Sequence, residues 1–334
     1  MKSIPDLFAT KSKQITADHW SENLAGSDAF SPQVYWLAVP AVQRRHQRRA
    51  TANSVYPTWV QYCIGNFLKS TVSVPADRML SIGCGSGALE RDLFRLNAFN
   101  HCDAIDIAPA AIEAAIRDAA AIGASNIHYN VTDVETHSLP RSHYDAIWFN
   151  GSLHHIGALE KVCEQVRDSL KPGGWLFFNE YVGANHFDFG PEQKAAISHS
   201  FALIPERFRR SFVHGSVGQV QQCVPLPDPV EVVRVDPSEA VRSQDILQVV
   251  DRYFDIKACN SSGGSLLQFA LHGIAGNFTE GNPESMAILK MLFDIEDALI
   301  DSHTLKSDFV IVAAQPKKKL DTETDRSKIS FPSK

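Results

Sequence analysis

Five short apolar runs lie between Met79 and Val182, with helix-forming stretches between most of them, and this alternation constrains the fold more than any other feature of the chain. Met79–Ile82 comes first, followed by helical periodicity over 86–96 through Leu89, Leu93 and Leu96. A second run, 102–107, precedes PAAIEAAIRDAAAIG, which has Pro109 near its start and Gly123 as a stop. Further runs cover 126–131, 144–150 and 175–182; a helix over 157–170 and the turn LKPGG separate the last two. Strands that alternate with helices of about 10–15 residues make βαβ units and a parallel sheet covered on both faces.

The alternation stops after Gly183. The segment 184–253 has helical character, including a helix announced by DPSEAVRSQDILQVV, with Asp236 as cap, Pro237 first and Glu239 third. Strands over 255–262 and 308–314 flank two more helical stretches. The expected fold is therefore α/β: a doubly wound, mostly parallel sheet of seven strands with helical additions. Residues 1–74 form an N-terminal helical extension, polar and irregular over 1–30 and helical from Pro32 to about Leu68. Residues 75–183 form the ligand-binding core, 184–253 a helical lid, and 254–315 the end of the sheet with its own helical insertion. The charged tail 316–334 is expected to be disordered.

RMLSIGCGSGALE sets Gly83, Gly85 and Gly87 at the point where the first strand becomes a helix. Glycines there let a backbone approach a ligand closely, and free N–H groups at a helix start suit a polar one. A tight structural turn is the plain alternative. Asp106 ends the second strand, 23 residues after Gly83, where a carboxylate can accept hydrogen bonds from ribose hydroxyls. It could equally cap the helix that begins at Pro109. Gly83, Gly85 and Ala88 also satisfy the G-x-G-x-x-G/A pattern of dinucleotide enzymes.

The succession LSIGCGSG, IDIAP, NVTDV, YDAIWFNGSLHHI and LKPGGWLFFNEY resembles the class I, Rossmann-like S-adenosylmethionine-dependent methyltransferases over about residues 76–183. The resemblance implies S-adenosyl-L-methionine as cofactor. Gly83, Gly85 and Gly87 would line its methionine and ribose portion, and Asp106 with Ile107 would hold the ribose. Asp133 with Val134 would meet the adenine, and Asn150 would stand at the methionine end. Ser81, also assigned to the cofactor, stands where the family often has an acid. Beyond residue 183, NEYVG, LIPERFRR, DPSEAVRS and GIAGNF resemble bacterial small-molecule and glycan methyltransferases more loosely, which implies an acceptor of that kind.

Methyl transfer needs nucleophile, methyl and sulfur held in line with water excluded. A hydroxyl nucleophile also needs its proton taken. His155, Glu180 and Tyr181 are the catalytic candidates, at the carboxyl ends of the fourth and fifth strands; His154, His186 and His272 stand behind them. Pocket framing is the alternative for the histidine pair. Four arginines in QRRHQRRAT either form a solvated helix face or hold an anionic substrate group.

Thirty-two lysines and arginines against 38 acids leave a net charge of −6, which disfavours nucleic-acid binding. The chain also lacks the (N/D)PP(Y/F) platform of exocyclic-amine methylation. The six cysteines form no CxxC pair, so neither a metal centre nor a disulfide framework is expected. With no apolar run of membrane-spanning length and no signal sequence, a cytoplasmic protein is the simplest reading. A nicotinamide-dependent oxidoreductase and a non-catalytic binding module are the competing functions.

Overall fold

The apolar runs of the sequence become the strands of a single seven-stranded sheet in a computed structural model that describes residues 4–23 and 31–318. The strands are β1 (Ala76–Ile82), β2 (Phe99–Asp106), β3 (Ile127–Val131), β4 (Tyr144–Asn150), β5 (Leu170–Tyr181), β6 (Phe254–Gly263) and β7 (Phe309–Pro316). Their order is β3-β2-β1-β4-β5-β7-β6. The pairs from β3 through β5 are parallel, while β7 runs antiparallel to both β5 and β6.

Residue alternation along the strands divides the core into two layers. Met79, Cys102, Trp148 and Phe177 face one layer, closed by Trp59, Val60 and Leu68 of the N-terminal region. Leu80, Ile147, Phe149 and Phe178 face the other, covered by Leu159, Val162 and Val166 of the helix Leu159–Ser169 and by Ile246 and Val249. A third apolar cluster lies among the additions. It joins Trp36 and Val42 to Phe201, Ile204, Leu266, Leu289 and Leu292.

Several expectations change, and the turn expected at LKPGG lies within β5. Residues 4–23, read as irregular, form a helix. The stretch from Pro32 to Leu68 is broken: one helix covers Pro40–Ala50, another begins at Trp59, and Thr58 caps it by accepting from the Gln61 N–H. The helix announced at Asp236 begins only at Ile246. The Asp236 carboxylate does accept from the Ser238 N–H, at 2.9 Å. It also accepts from Thr16 and Trp20 of the N-terminal helix, so tertiary partners claim the cap and a turn replaces the first helical turns. The tail expected to be disordered from Pro316 begins inside the sheet, since Pro316 ends β7 and the Lys317 N–H donates to the Tyr253 carbonyl at 2.9 Å; residues 319–334 lie outside the described residues.

Candidate active site

Chain order reverses between β1 and β4, and in an open α/β sheet such a reversal leaves a crevice beyond the carboxyl ends of the strands. A cavity of about 400 Å³ lies there. The Gly83 N–H donates to the Ile105 carbonyl at 2.8 Å, and the Gly85 N–H to Asp106 Oδ2 at 2.8 Å. Gly83 has φ +68°, and a Cβ there would come within 2.3 Å of the Ser152 Cβ, so only glycine fits. Asp106 Oδ1 accepts the Ala108 N–H at 2.8 Å, so this one carboxylate ties the glycine loop to the start of the next helix. Burial raises its pKa, partly offset by those N–H groups. Each oxygen keeps a further lone pair for a ligand hydroxyl.

Gly83, Gly85, Asp106, Ile107, Asp133, Val134 and Asn150 all line the cavity. Ser81 and Gly87 do not. Gly87 is the left-handed residue before the helix Ala88–Arg95, and a Cβ on it would meet the Tyr129 hydroxyl oxygen at 2.5 Å. Ser81 is buried beneath the loop beside Glu90, whose carboxylate is wholly buried without a well-formed hydrogen bond. Burial pushes the Glu90 carboxyl up to about 7, partly offset by the Ser81 hydroxyl.

A stability dependence follows from Glu90. Its folded pKa lies above the ordinary 4.5, so below pH 4.5 both states hold the proton and nothing is lost. Between about 4.5 and 7 the unfolded chain releases the proton while the folded chain keeps it, so stability falls as pH rises. Glu90→Gln removes this loss. Its stability relative to the parent should rise by about 3 kcal/mol between pH 4.5 and about 8, measured by urea denaturation at both values. A constant difference would show that Glu90 is not held neutral.

The N-terminal helix supplies a wall that the sequence reading missed. Ser12, Lys13, Thr16 and Trp20 line the cavity, and Lys13 pairs with Asp133 and with Glu135, the latter at 2.7 Å. Burial lowers the Lys13 pKa, but the two carboxylates more than offset this and hold it above its usual value. The spacing of Lys13, Thr16 and Trp20, three and four residues apart, was the available signal of one helix face.

Of the catalytic candidates, His155 lines the cavity while Glu180 and Tyr181 do not. Glu180 is buried. Its Oε1 accepts the Ser152 and Leu153 N–H groups at 2.7 Å each, and its Oε2 meets His154 Nδ1 at 2.7 Å. The Tyr181 hydroxyl donates to the Ala184 carbonyl at 3.1 Å, and burial raises its pKa. His155 Nδ1 contacts Ser238 Oγ at 2.9 Å, and Trp20 packs edge-on against the ring at 5.3 Å. Burial first, then the neighbouring His154, lowers the His155 pKa. Burial would lower His154 as well, but Glu180 raises it above the usual value, with Glu239 and Asp236 adding to the effect. His186 Nδ1 contacts the Glu239 carbonyl at 2.8 Å, and His272 lies outside the cavity lining. The structure thus brings His154 and His155 to Glu239, a contact across some 85 residues of sequence that the reading of the chain did not anticipate.

The arginines of the helix Pro40–Ala50 stand elsewhere. Arg45 pairs with Glu296 at 2.7 Å and with Asp297 at 2.6 Å, Arg49 also pairs with Asp297, and none of the four lines the cavity. Among the described residues no helix is long and apolar enough to cross a membrane.

Residues 80–176 match the family described as methyltransferase domain. A ubiquinone biosynthesis O-methyltransferase of Shewanella sp. is 29% identical over 116 residues, 34% of this chain and 48% of that enzyme. An aklanonic acid methyltransferase of Streptomyces sp. is 31% identical over 140 residues, 41% of this chain and 64% of the relative. The chain thus spans about half to two thirds of the length of these relatives. Among solved structures, a geranyl diphosphate C-methyltransferase of Streptomyces coelicolor superposes with a TM-score of 0.47 at 15% identity, covering 92% of this chain and 98% of that one. The match over 80–176, on the stretch that holds the glycine loop and β1 through β4, shows a methyltransferase domain in that part of the chain.

Proposed function

We propose that the chain methylates an oxygen of a small-molecule acceptor, with the cofactor held in the cavity beyond β1, β2 and β4 and the acceptor presented beside His155. The carrying observation is one cavity wall that joins the Gly83–Gly85 loop and Asp106 to His155. The donor set suits the cofactor: a half-buried carboxylate with spare lone pairs at Asp106, a second half-buried carboxylate at Asp133 that Lys13 already pairs with, and close backbone approach at Gly83 and Gly85. S-adenosylmethionine supplies a methyl group on a positively charged sulfur, already electrophilic. What the protein adds is position and dryness. Asp106 with Ile107 holds the ribose, Asp133 with Val134 the adenine end, and Asn150 the methionine end. The N-terminal helix, with Trp20 against His155, keeps water from the reacting groups. His155 meets the acceptor hydroxyl and loosens its proton. The curated relatives named for an O-methyl reaction support oxygen as the target, and aklanonic acid, named for the other, supports a small-molecule acceptor; a glycan acceptor is the second reading.

Calorimetry tests the cofactor half. S-adenosylhomocysteine should bind and NAD should not, and Asp106→Ala should weaken the binding by about 10- to 150-fold, the worth of a charged hydrogen bond. Tight NAD binding with no response to S-adenosylhomocysteine would overturn the reading. An unchanged affinity in Asp106→Ala would reduce Asp106 to a tie between loop and helix. Acceptor screening with a labelled methyl donor tests the other half.

A further inference from the structure

Two imidazoles converge on one carboxylate beside the cavity, and the surrounding hydrogen bonds decide how each presents itself. Ser238 Oγ donates its hydrogen bond to Asp236 Oδ1 at 2.8 Å, so it accepts from the His155 Nδ1–H. Glu180 Oε2 likewise accepts the hydrogen bond from the His154 Nδ1–H. A neutral ring with its proton on Nδ1 carries a lone pair on Nε2. Both Nε2 atoms face Glu239, His154 at 3.6 Å from Oε1 and His155 at 3.9 Å from Oε2. These gaps are too long for N–H···O hydrogen bonds. They are close to the roughly 3.4 Å between ligand atoms of a tetrahedral centre with bonds of about 2.1 Å.

Charge points the same way. Glu180, Glu239 and Asp236 surround two histidines, all five side chains largely buried. Among the described residues no lysine or arginine forms an ion pair with any of the three carboxylates. The loop that carries Glu239 is held from several sides. His186 contacts the Glu239 carbonyl, Ser243 Oγ donates to the Gly183 carbonyl at 3.0 Å, and Arg242 grips Glu160 at 2.7 and 2.9 Å.

We propose that His154, His155 and Glu239 form a divalent-cation site of the zinc-like class, with Glu180 and the Ser238–Asp236 pair orienting the two imidazoles. One donor atom from each of the three lies within 4.8 Å of the others. His155 and Ser238 line the cavity while His154 and Glu239 lie behind it, so the site would border the cavity through His155. A cation there would lower the proton affinity of an acceptor oxygen, and His155, its Nε2 then taken by the ion, would act through that ion in place of direct contact with the hydroxyl. That role rests on the methyl-transfer reading, whereas the binding does not.

The test uses the full chain stripped with a chelator and titrated with Zn²⁺ and, separately, Co²⁺. One equivalent should bind, and the Co²⁺ form should show visible bands of low coordination number. It should lack the near-ultraviolet thiolate band that exposed Cys223 or Cys259 would add. Glu239→Gln and His154→Gln should each weaken binding by about 10- to 100-fold or more. Exposed His128→Gln, a control, should not. Failure of the stripped parent to take up either ion would overturn the site, as would equal binding by the parent and Glu239→Gln. S-adenosylhomocysteine calorimetry on the same stripped sample separates the two readings. Its binding without metal uptake removes the site alone, and metal uptake without it removes the methyltransferase reading alone.

Discussion

His155→Ala should lower turnover by about 10²–10⁴-fold while leaving affinity for S-adenosylhomocysteine nearly unchanged. The asymmetry follows from where the ring lies. His155 is on the cavity wall, whereas the cofactor contacts proposed for Asp106 and Asp133 come from the end of β2 and the loop after β3. The Nδ1 side is occupied by Ser238, so only Nε2 is left to act toward the acceptor, directly or through an ion. Alanine removes that atom and leaves the backbone turn of Leu153–His155 in place. Turnover and cofactor affinity, measured on the same preparation, check this. Near-normal turnover would exclude proton handling at this position, and a parallel loss of cofactor affinity would make His155 a pocket-framing residue.

Glu180→Ala should destabilise the fold by about 3–5 kcal/mol, because it strands several buried groups at once. Two backbone N–H groups, of Ser152 and Leu153, and the Nδ1 of His154 all converge on this carboxylate. Each buried donor left without an acceptor costs about 1–3 kcal/mol. Glu180→Gln keeps an acceptor oxygen but loses the charge, so its cost should be smaller, about 1–3 kcal/mol. Urea denaturation followed by tryptophan fluorescence measures both; Trp148 and Trp59, in contact in the core at 5.6 Å between ring centroids, make a suitable probe. An alanine variant within about 1 kcal/mol of the parent would mean that water replaces the carboxylate and that the turn after β4 does not depend on it. The stability arm also separates Glu180 from His155, whose replacement removes fewer buried hydrogen bonds.

The strands and the glycine loop were legible because their signals are local. An apolar run of strand length, a glycine at positive φ and an acid at a strand end each act within a few residues. The carboxyl edge where they meet follows from right-handed crossovers. Hence Gly83, Gly85, Asp106, Asp133 and Asn150 could be named together from sequence and all line one cavity. Ser81 was drawn in by its motif position, but strand alternation turns its side chain under the loop toward Glu90, away from the cavity.

The additions were not legible in the same way. Residues 4–23 look irregular alone, and it is Asp236, over 200 residues away, that accepts from Thr16 and Trp20 and docks them on the site. The same contact takes Asp236 from the helix its neighbours announce. Whether Glu180 faces a ligand or anchors a turn depends on where Ser152 and Leu153 point their N–H groups, which local pattern does not encode. The sequence by itself determined the strand–helix alternation, the glycine loop and the acids at the strand ends, since propensity and periodicity are short-range. Only the tertiary structure decided which buried carboxylate is spent on the backbone, which helix closes the cavity, and that Glu239 stands opposite two histidines. Those choices come from long-range desolvation and hydrogen-bond satisfaction, which no stretch of residues specifies alone.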